Sequence, residues 1–202
     1  RTFNSAGAFT DEQGNARFYD NETDNYQQDH SQLLWNEKIS DNWSTNFALH
    51  YTKGKGFYEN YKEDADFADY GLKPVGVITT TDLVRQKWLE NDFYGTTFSA
   101  NYKDEKLDVI FGGGWNKYEG DHFGKVIWAR NASQSELGDR YYDDYANKTD
   151  GNIFAKANYQ ITEQLSLFGD LQYRSVNYKA NGVQPTLVDD TFNFFNPKTG
   201  LT

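Results

Sequence analysis

Trp43-Ser44-Thr45-Asn46-Phe47-Ala48-Leu49-His50-Tyr51-Thr52 is the stretch that decides the fold. Trp43, Thr45, Phe47, Leu49 and Tyr51 share one face, and Ser44, Asn46, Ala48, His50 and Thr52 share the other. Successive side chains of a strand point to opposite sides, so this alternation predicts a strand with one apolar and one polar face. The pattern returns at Tyr94, Thr96, Phe98, Ala100 and Tyr102, and again at Leu107, Val109, Phe111, Gly113 and Trp115. It returns twice more, at Ile153, Ala155, Ala157, Tyr159 and Ile161, and at Leu165, Leu167, Gly169, Leu171 and Tyr173. A noisier strand runs from about Asn25 to Ile39, with Leu33, Trp35 and Ile39 as its apolar set, and a last one starts near Phe192. Helical periodicity does not organise the chain. The expected class is all-β, an antiparallel meander of about six to seven strands.

The connections alternate in length. Ser40-Asp41-Asn42, Lys103-Asp104-Glu105-Lys106 and Thr162-Glu163-Gln164 read as hairpin turns, rich in Asx and charged residues. Between the hairpins lie long segments, roughly Lys53–Trp88, Lys117–Asp150 and Lys179–Asp190, read here as loops and containing Pro74 and Pro185. Loops of that length are uncommon in a compact domain. They are normal in a transmembrane β-barrel, with short turns on one rim and long loops on the other. A spanning strand needs about 9–11 tilted residues, and the alternating runs are of that order. Trp43, Tyr102, Tyr159 and Ile161 fall near the short turns and Tyr51, Trp115 and Tyr173 near the long segments, as interfacial aromatic girdles require. A soluble β-sandwich shares the alternation and stays open at this point.

Composition narrows the classes further. The 202 residues include 15 Tyr, 15 Phe and 5 Trp, an aromatic share of 17%, against a total hydrophobic content of only 37%. Disordered chains are aromatic-poor, which makes disorder a poor reading. The net charge of −10 argues against a nucleic-acid partner, which needs a basic face. With no Cys there is neither a disulfide scaffold nor a thiolate metal site. The chain opens at Arg1 rather than Met, and no signal peptide is legible. The expectation is a processed chain or a piece of a longer one.

Four stretches resemble the barrel of a TonB-dependent outer-membrane receptor. The first is Arg1-Thr2-Phe3-Asn4-Ser5-Ala6-Gly7 with Phe18-Tyr19-Asp20-Asn21 and Asp24-Asn25-Tyr26-Gln27-Gln28-Asp29-His30. The second runs His50-Tyr51-Thr52-Lys53-Gly54-Lys55-Gly56-Phe57-Tyr58-Glu59-Asn60-Tyr61-Lys62, then Asp69-Tyr70-Gly71-Leu72. The third joins Lys87-Trp88-Leu89-Glu90-Asn91-Asp92-Phe93-Tyr94-Gly95 to Gly112-Gly113-Gly114-Trp115-Asn116 and Gly120-Asp121-His122-Phe123-Gly124. The last is Phe194-Phe195-Asn196-Pro197-Lys198-Thr199-Gly200-Leu201. The resemblance covers nearly all of the chain. It implies that residues 1–202 are part of one outer-membrane β-barrel domain of a Gram-negative bacterium, with the plug domain and TonB box lying outside them. It also implies no catalysis and no cofactor. The partners it implies are outer-membrane lipid, a plug domain, TonB and a scarce large solute such as a ferric siderophore, haem or cobalamin.

Candidate ligand-binding residues are the ring-bearing ones in the long segments: Phe57, Tyr58, Tyr61 and Tyr70 in one stripe, and Trp115, Tyr118, His122 and Trp128 in another. Flat rings stack on sugars and on aromatic ligands, but they equally pack loops together or anchor an interface. Phe67 belongs to the first stripe, and Phe123 to the second. His30, His50 and His122 lack the spacing of a metal site. The acidic runs Asp20–Asp24, Glu63–Asp66 and Asp139–Asp144 read as solvated loop surface, and none is a spaced Ca²⁺ loop. Gly112-Gly113-Gly114, inside a strand, reads as a place of close backbone approach. The leading expectation is the wall segment and extracellular loops of an energised importer. The alternatives are a soluble aromatic-rich β module that binds cell-surface glycans, whose sheet would be covered by protein on both faces, and a passive porin-like or adhesion barrel.

Overall fold

The computed structural model describes residues 8–20, 23–132, 136–181 and 187–202. Residues 1–7 and Asn21 of the first family-like stretch, Glu22 of the first acidic run, and Pro185 lie outside the described residues.

Among the described residues nine strands follow one another: β1 (Ala8–Thr10), β2 (Ala16–Phe18), β3 (Thr23–Lys38), β4 (Trp43–Asp66), β5 (Thr80–Lys103), β6 (Leu107–Ala129), β7 (Arg140–Thr162), β8 (Leu165–Asn181) and β9 (Val188–Leu201). β1 and β2 form a small hairpin, and β3 to β9 form one seven-stranded antiparallel meander in sequence order. The sheet is a partial barrel wall and does not close among the described residues.

The three short turns form where the sequence places them. Asp104 accepts the N–H groups of Lys106 at 2.9 Å and Leu107 at 2.8 Å, and Ile39 N–H reaches Trp43 O at 2.9 Å. Thr162 Oγ1 accepts the Gln164 N–H at 3.2 Å. The long segments differ from the expectation. Most of their length is strand, because β4 continues to Asp66, β5 starts at Thr80, β6 reaches Ala129 and β7 starts at Arg140. The ladder continues because cross-strand pairs of charged and aromatic groups hold it, as Lys55–Glu90 at 2.8 Å and Phe57–Trp88 with centroids 4.5 Å apart show. These pairs break the apolar/polar contrast without breaking backbone pairing, so the alternation fades while the strand goes on. Among the described residues the connections shrink to 67–79, 130–132 with 136–139, and Leu187, the first opening with a 3₁₀ turn, Phe67–Tyr70.

Register fixes the faces. Trp43 pairs with Tyr102, Phe47 with Phe98 and Tyr51 with Tyr94, and these in turn meet Val109, Gly113 and Lys117. The apolar band runs nine residues along β4, from Trp43 to Tyr51, which is the length that crosses hydrocarbon when tilted. Its edges carry ring pairs: Trp43 against Tyr102 at 5.1 Å and Tyr94 edge-on to Trp115 at 6.0 Å. Among the described residues nothing covers this band. Leu33 is 62% exposed, Trp35 61%, Leu171 52% and Phe195 66%. The sandwich alternative needs a second layer here, and among the described residues there is none.

The opposite face is polar and internally bonded. His30 Nδ1 lies 2.9 Å from Thr52 Oγ1, Tyr26 donates to Asn91 Oδ1 at 2.8 Å, and Arg174 Nε donates to Asp150 Oδ1 at 2.9 Å. Gly113 stands where a Cβ would come within 2.5 Å of the Asn152 carbonyl oxygen, the close approach read from the glycine run. The only apolar core among the described residues sits far from the band, at the long-hairpin rim. There Phe67 and Leu83, 1% and 0% exposed, pack with Ala65, Leu72, Val126 and Ala129.

Candidate functional site

The long-hairpin rim gathers most of the candidate residues, and register divides them between the two faces. On the polar face one cross-strand row runs Tyr58, Lys87, Gly124 and Tyr142, and the next runs Asn60, Arg85 and Val126. Arg85 donates to Asn60 Oδ1 at 3.0 Å and to the Tyr70 hydroxyl at 2.9 Å. The Tyr70 ring lies 4.9 Å from Tyr141, and Tyr141 lies 5.0 Å from Tyr142. Lys87 Nζ stands 5.8 Å from the Tyr142 ring centre. The result is a tyrosine cluster threaded by two cations.

Beside it the 3₁₀ turn and the start of β7 border a half-open pocket of about 410 Å³ lined by Tyr70, Lys73, Glu136, Asp139, Arg140 and Tyr141, a volume in the range of ligand pockets. Burial pushes the Tyr141 hydroxyl well above the ordinary phenol range, with Arg85 pulling it partly back and Tyr142 and Tyr70 adding to the rise. Burial likewise raises Tyr142. Both stay neutral at physiological pH. The Tyr141 hydroxyl is shut off from solvent without a hydrogen-bond partner among the described residues, as is Asp144 Oδ1.

The remaining inward candidates lie lower. Tyr118 sits between Phe93 and Lys148 across the strands, and burial, with Tyr26 and Tyr178 nearby, raises its hydroxyl. His122 sits between Leu89 and Asp144. Among the described residues no three His, Asp or Glu side chains gather as a metal site.

Phe57, Tyr61 and Trp115 share the face of the apolar band. Trp115 is part of the band's upper edge. Tyr61 packs under the β1–β2 hairpin and the residue after it, 4.8 Å from Phe9 and 6.3 Å from Tyr19, while Tyr19 donates to Glu59 Oε1 at 2.8 Å. Burial, then a hydrogen bond to Asp82, pushes the Tyr61 hydroxyl up to about 12, against the opposing pull of Arg130. Phe57 packs tilted against Trp88, which stacks in turn on Phe123 at 5.9 Å with planes 4° apart, and the Arg140 guanidinium covers Phe123 at 3.5 Å. Trp128 lies opposite Val84 and is 44% exposed. Phe67 is buried core and faces no ligand space. The acidic runs are structural where described: Asp66 accepts the Ala68 N–H at 2.9 Å, Glu63 the Thr10 N–H at 3.3 Å, and Asp143 pairs with Arg140 at 2.9 Å.

Arg85, Lys87, Tyr141 and Tyr142 escape the sequence reading. The Tyr141-Tyr142 pair sits inside an acidic run that reads as solvated surface, and only the register sets it against Tyr70 and Lys87.

No protein-family model matches the chain, and no curated protein matches it. Solved structures do match its fold. The ferric-catecholate import receptor Fiu from E. coli K12 matches in its open form with a TM-score of 0.57 at 14% identity, over 92% of this chain and 33% of the receptor. Its closed form matches at 0.55 and 15%, over 92% and 32%. BauA, the ferric preacinetobactin receptor of Acinetobacter baumannii, matches at 0.51 and 9%, over 87% and 28%. The fold is thus that of a section of receptor barrel wall, and the chain spans about a third of the length of the receptors it matches.

Proposed function

We propose that the chain is a wall segment and capture rim of a TonB-dependent outer-membrane importer that takes up a scarce large solute. The observation that carries this reading is the uncovered apolar band of nine residues from Trp43 to Tyr51, backed by a bonded polar face and continued beyond it by long hairpins. Such a face is stable against acyl chains, and its polar reverse suits a watered lumen that contacts a plug. The plug domain and the TonB contact lie outside residues 1–202, and the chain itself makes and breaks no bond. Fold likeness to receptors named for ferric catecholate and ferric preacinetobactin agrees with this class.

The rim favours a solute of the iron-chelate type. Tyr58, Tyr70 and Tyr142 bring rings beside Arg85 and Lys87, and this combination holds a flat, anionic chelate by stacking and charge. The test is uptake of each solute by cells carrying the intact receptor, with ferric catecholate, haem and cobalamin offered separately and followed by iron or, for cobalamin, cobalt. Arg85→Ala combined with Tyr142→Ala is expected to lower uptake of one of these at least tenfold while the protein still inserts. Unchanged uptake of all three ends this reading of the rim. An intact protein that stays dispersed and monomeric without detergent ends the barrel reading and favours the soluble glycan-binding module.

A further inference from the structure

Four arginines sit in ion pairs with an aspartate: Arg17 with Asp11, Arg130 with Asp82, Arg140 with Asp143 and Arg174 with Asp150. Arg85 is the exception among the described residues. In a chain of 30 acidic residues it meets no carboxylate there. Its Nε donates to the Asn60 amide oxygen at 3.0 Å and its Nη1 to the Tyr70 hydroxyl at 2.9 Å. We propose that the Tyr70 hydroxyl is a built-in placeholder on Arg85, and that an anionic oxygen of the solute enters the site by displacing it. The proposal deepens the reading of the rim as an iron-chelate site and rests on it.

The fold delivers Tyr70 to Arg85. Leu83 and Arg85 lie two apart on β5 and so share the polar face. The 67–79 connection folds onto that face, where Phe67 and Leu72 bury themselves with Leu83, Val126 and Ala129. Asp66 accepts the Ala68 N–H at 2.9 Å, and the Phe67 N–H donates to the Thr79 carbonyl at 2.8 Å. Buried residues therefore flank Tyr70 on both sides and pin the backbone of the turn. The side chain is held less firmly. Its ring lies 4.9 Å from Tyr141 and borders the half-open pocket of about 410 Å³, so it has room to tip aside while Phe67 and Leu72 stay buried. A charged oxygen wins the exchange, because a guanidinium grips a carboxylate-like or phenolate-like group through charge and paired N–H donors, which one hydroxyl does not match. A solute with only uncharged oxygens merely trades one hydroxyl for another. The placeholder thus sharpens selection for anionic chelates.

The test measures binding to the intact receptor in detergent by titration calorimetry, with ferric catecholate, haem and cobalamin as separate probes. Tyr70→Phe keeps the ring and the buried turn and removes only the hydroxyl. It is expected to bind ferric catecholate or haem at least fivefold more tightly than wild type, and the gain is expected to vanish when Arg85→Ala is added. 3-Fluorotyrosine placed at position 70 is expected to shift its fluorine resonance when the wild-type protein takes up the same probe. Equal or weaker binding by Tyr70→Phe, a gain that survives Arg85→Ala, or an unmoved fluorine signal in the loaded protein overturns the placeholder. Arg85→Ala that binds as well as wild type, or binding of none of the three probes, overturns the reading of the rim as an anion site and the placeholder with it. The two failures are thereby told apart.

Discussion

Arg130 places Nη2 2.8 Å from Asp82 Oδ2, and the Arg130 N–H donates to the Asp82 carbonyl at the same distance, so one residue pair ties the end of β6 to the start of β5. The other Asp82 oxygen accepts the Asp64 N–H at 3.0 Å, at a position where Asp64 takes the left-handed φ of 49°. The Tyr61 hydroxyl completes the set. Burial raises the Asp82 pKa, but the Asp64 N–H, the Tyr61 hydroxyl and the Arg130 charge outweigh it and hold the carboxyl below its ordinary value. A depressed carboxylate stabilises the fold above its unfolded pKa and loses that contribution as pH falls through the folded value. The rim is therefore expected to loosen below about pH 4. Asp82→Asn should loosen it already at neutral pH, by roughly 1–3 kcal/mol of local opening. Hydrogen exchange at the Asp64 and Arg130 amides measures both, and unchanged protection in the variant refutes the role.

Tyr61 answers to pH in the opposite direction. Its phenol is raised to about 12, so the neutral form is favoured by folding. Its contribution is complete below the unfolded pKa of about 10 and disappears as pH rises through about 12. The difference between wild type and Tyr61→Phe in phenolate absorbance should show a titration displaced above pH 10. A difference spectrum centred at 10 contradicts the buried geometry against Phe9 and Asp82.

The band makes a directional prediction about substitutions. Phe47→Arg, near mid-band on the apolar face, is expected to cost about 2–4 kcal/mol of folding free energy in lipid. Its neighbour Asn46 faces the polar side and donates to Ser99 Oγ at 3.1 Å, so Asn46→Arg should cost far less. Urea unfolding in vesicles compares the two, and equal losses would show that the faces are assigned wrongly.

Leu83→Ala empties the rim core around Phe67. Loss of a fully buried leucine costs about 2–5 kcal/mol, and here that loss falls on the rim, because the core does not reach the band. The intact protein should keep its folded mobility in unheated gels while proteolysis within residues 67–79 accelerates. Loss of membrane insertion would mean that the rim core supports the whole wall.

Sequence alone determined the strands, the apolar face and the short turns. Trp43 to Tyr51 alternates because one side meets an apolar medium and the other water, and that contrast is written residue by residue. Beyond Tyr51 the contrast stops, since both faces of the hairpins meet polar surroundings, and the text looks like loop although pairing runs on to Asp66. Only the tertiary structure decided how far the ladder extends and which rings share a face. Tyr58 and Phe57 are neighbours in sequence yet point to opposite sides, one toward Tyr142 and one onto Trp88. Such pairings are set by register between strands up to tens of residues apart, and no local pattern encodes them.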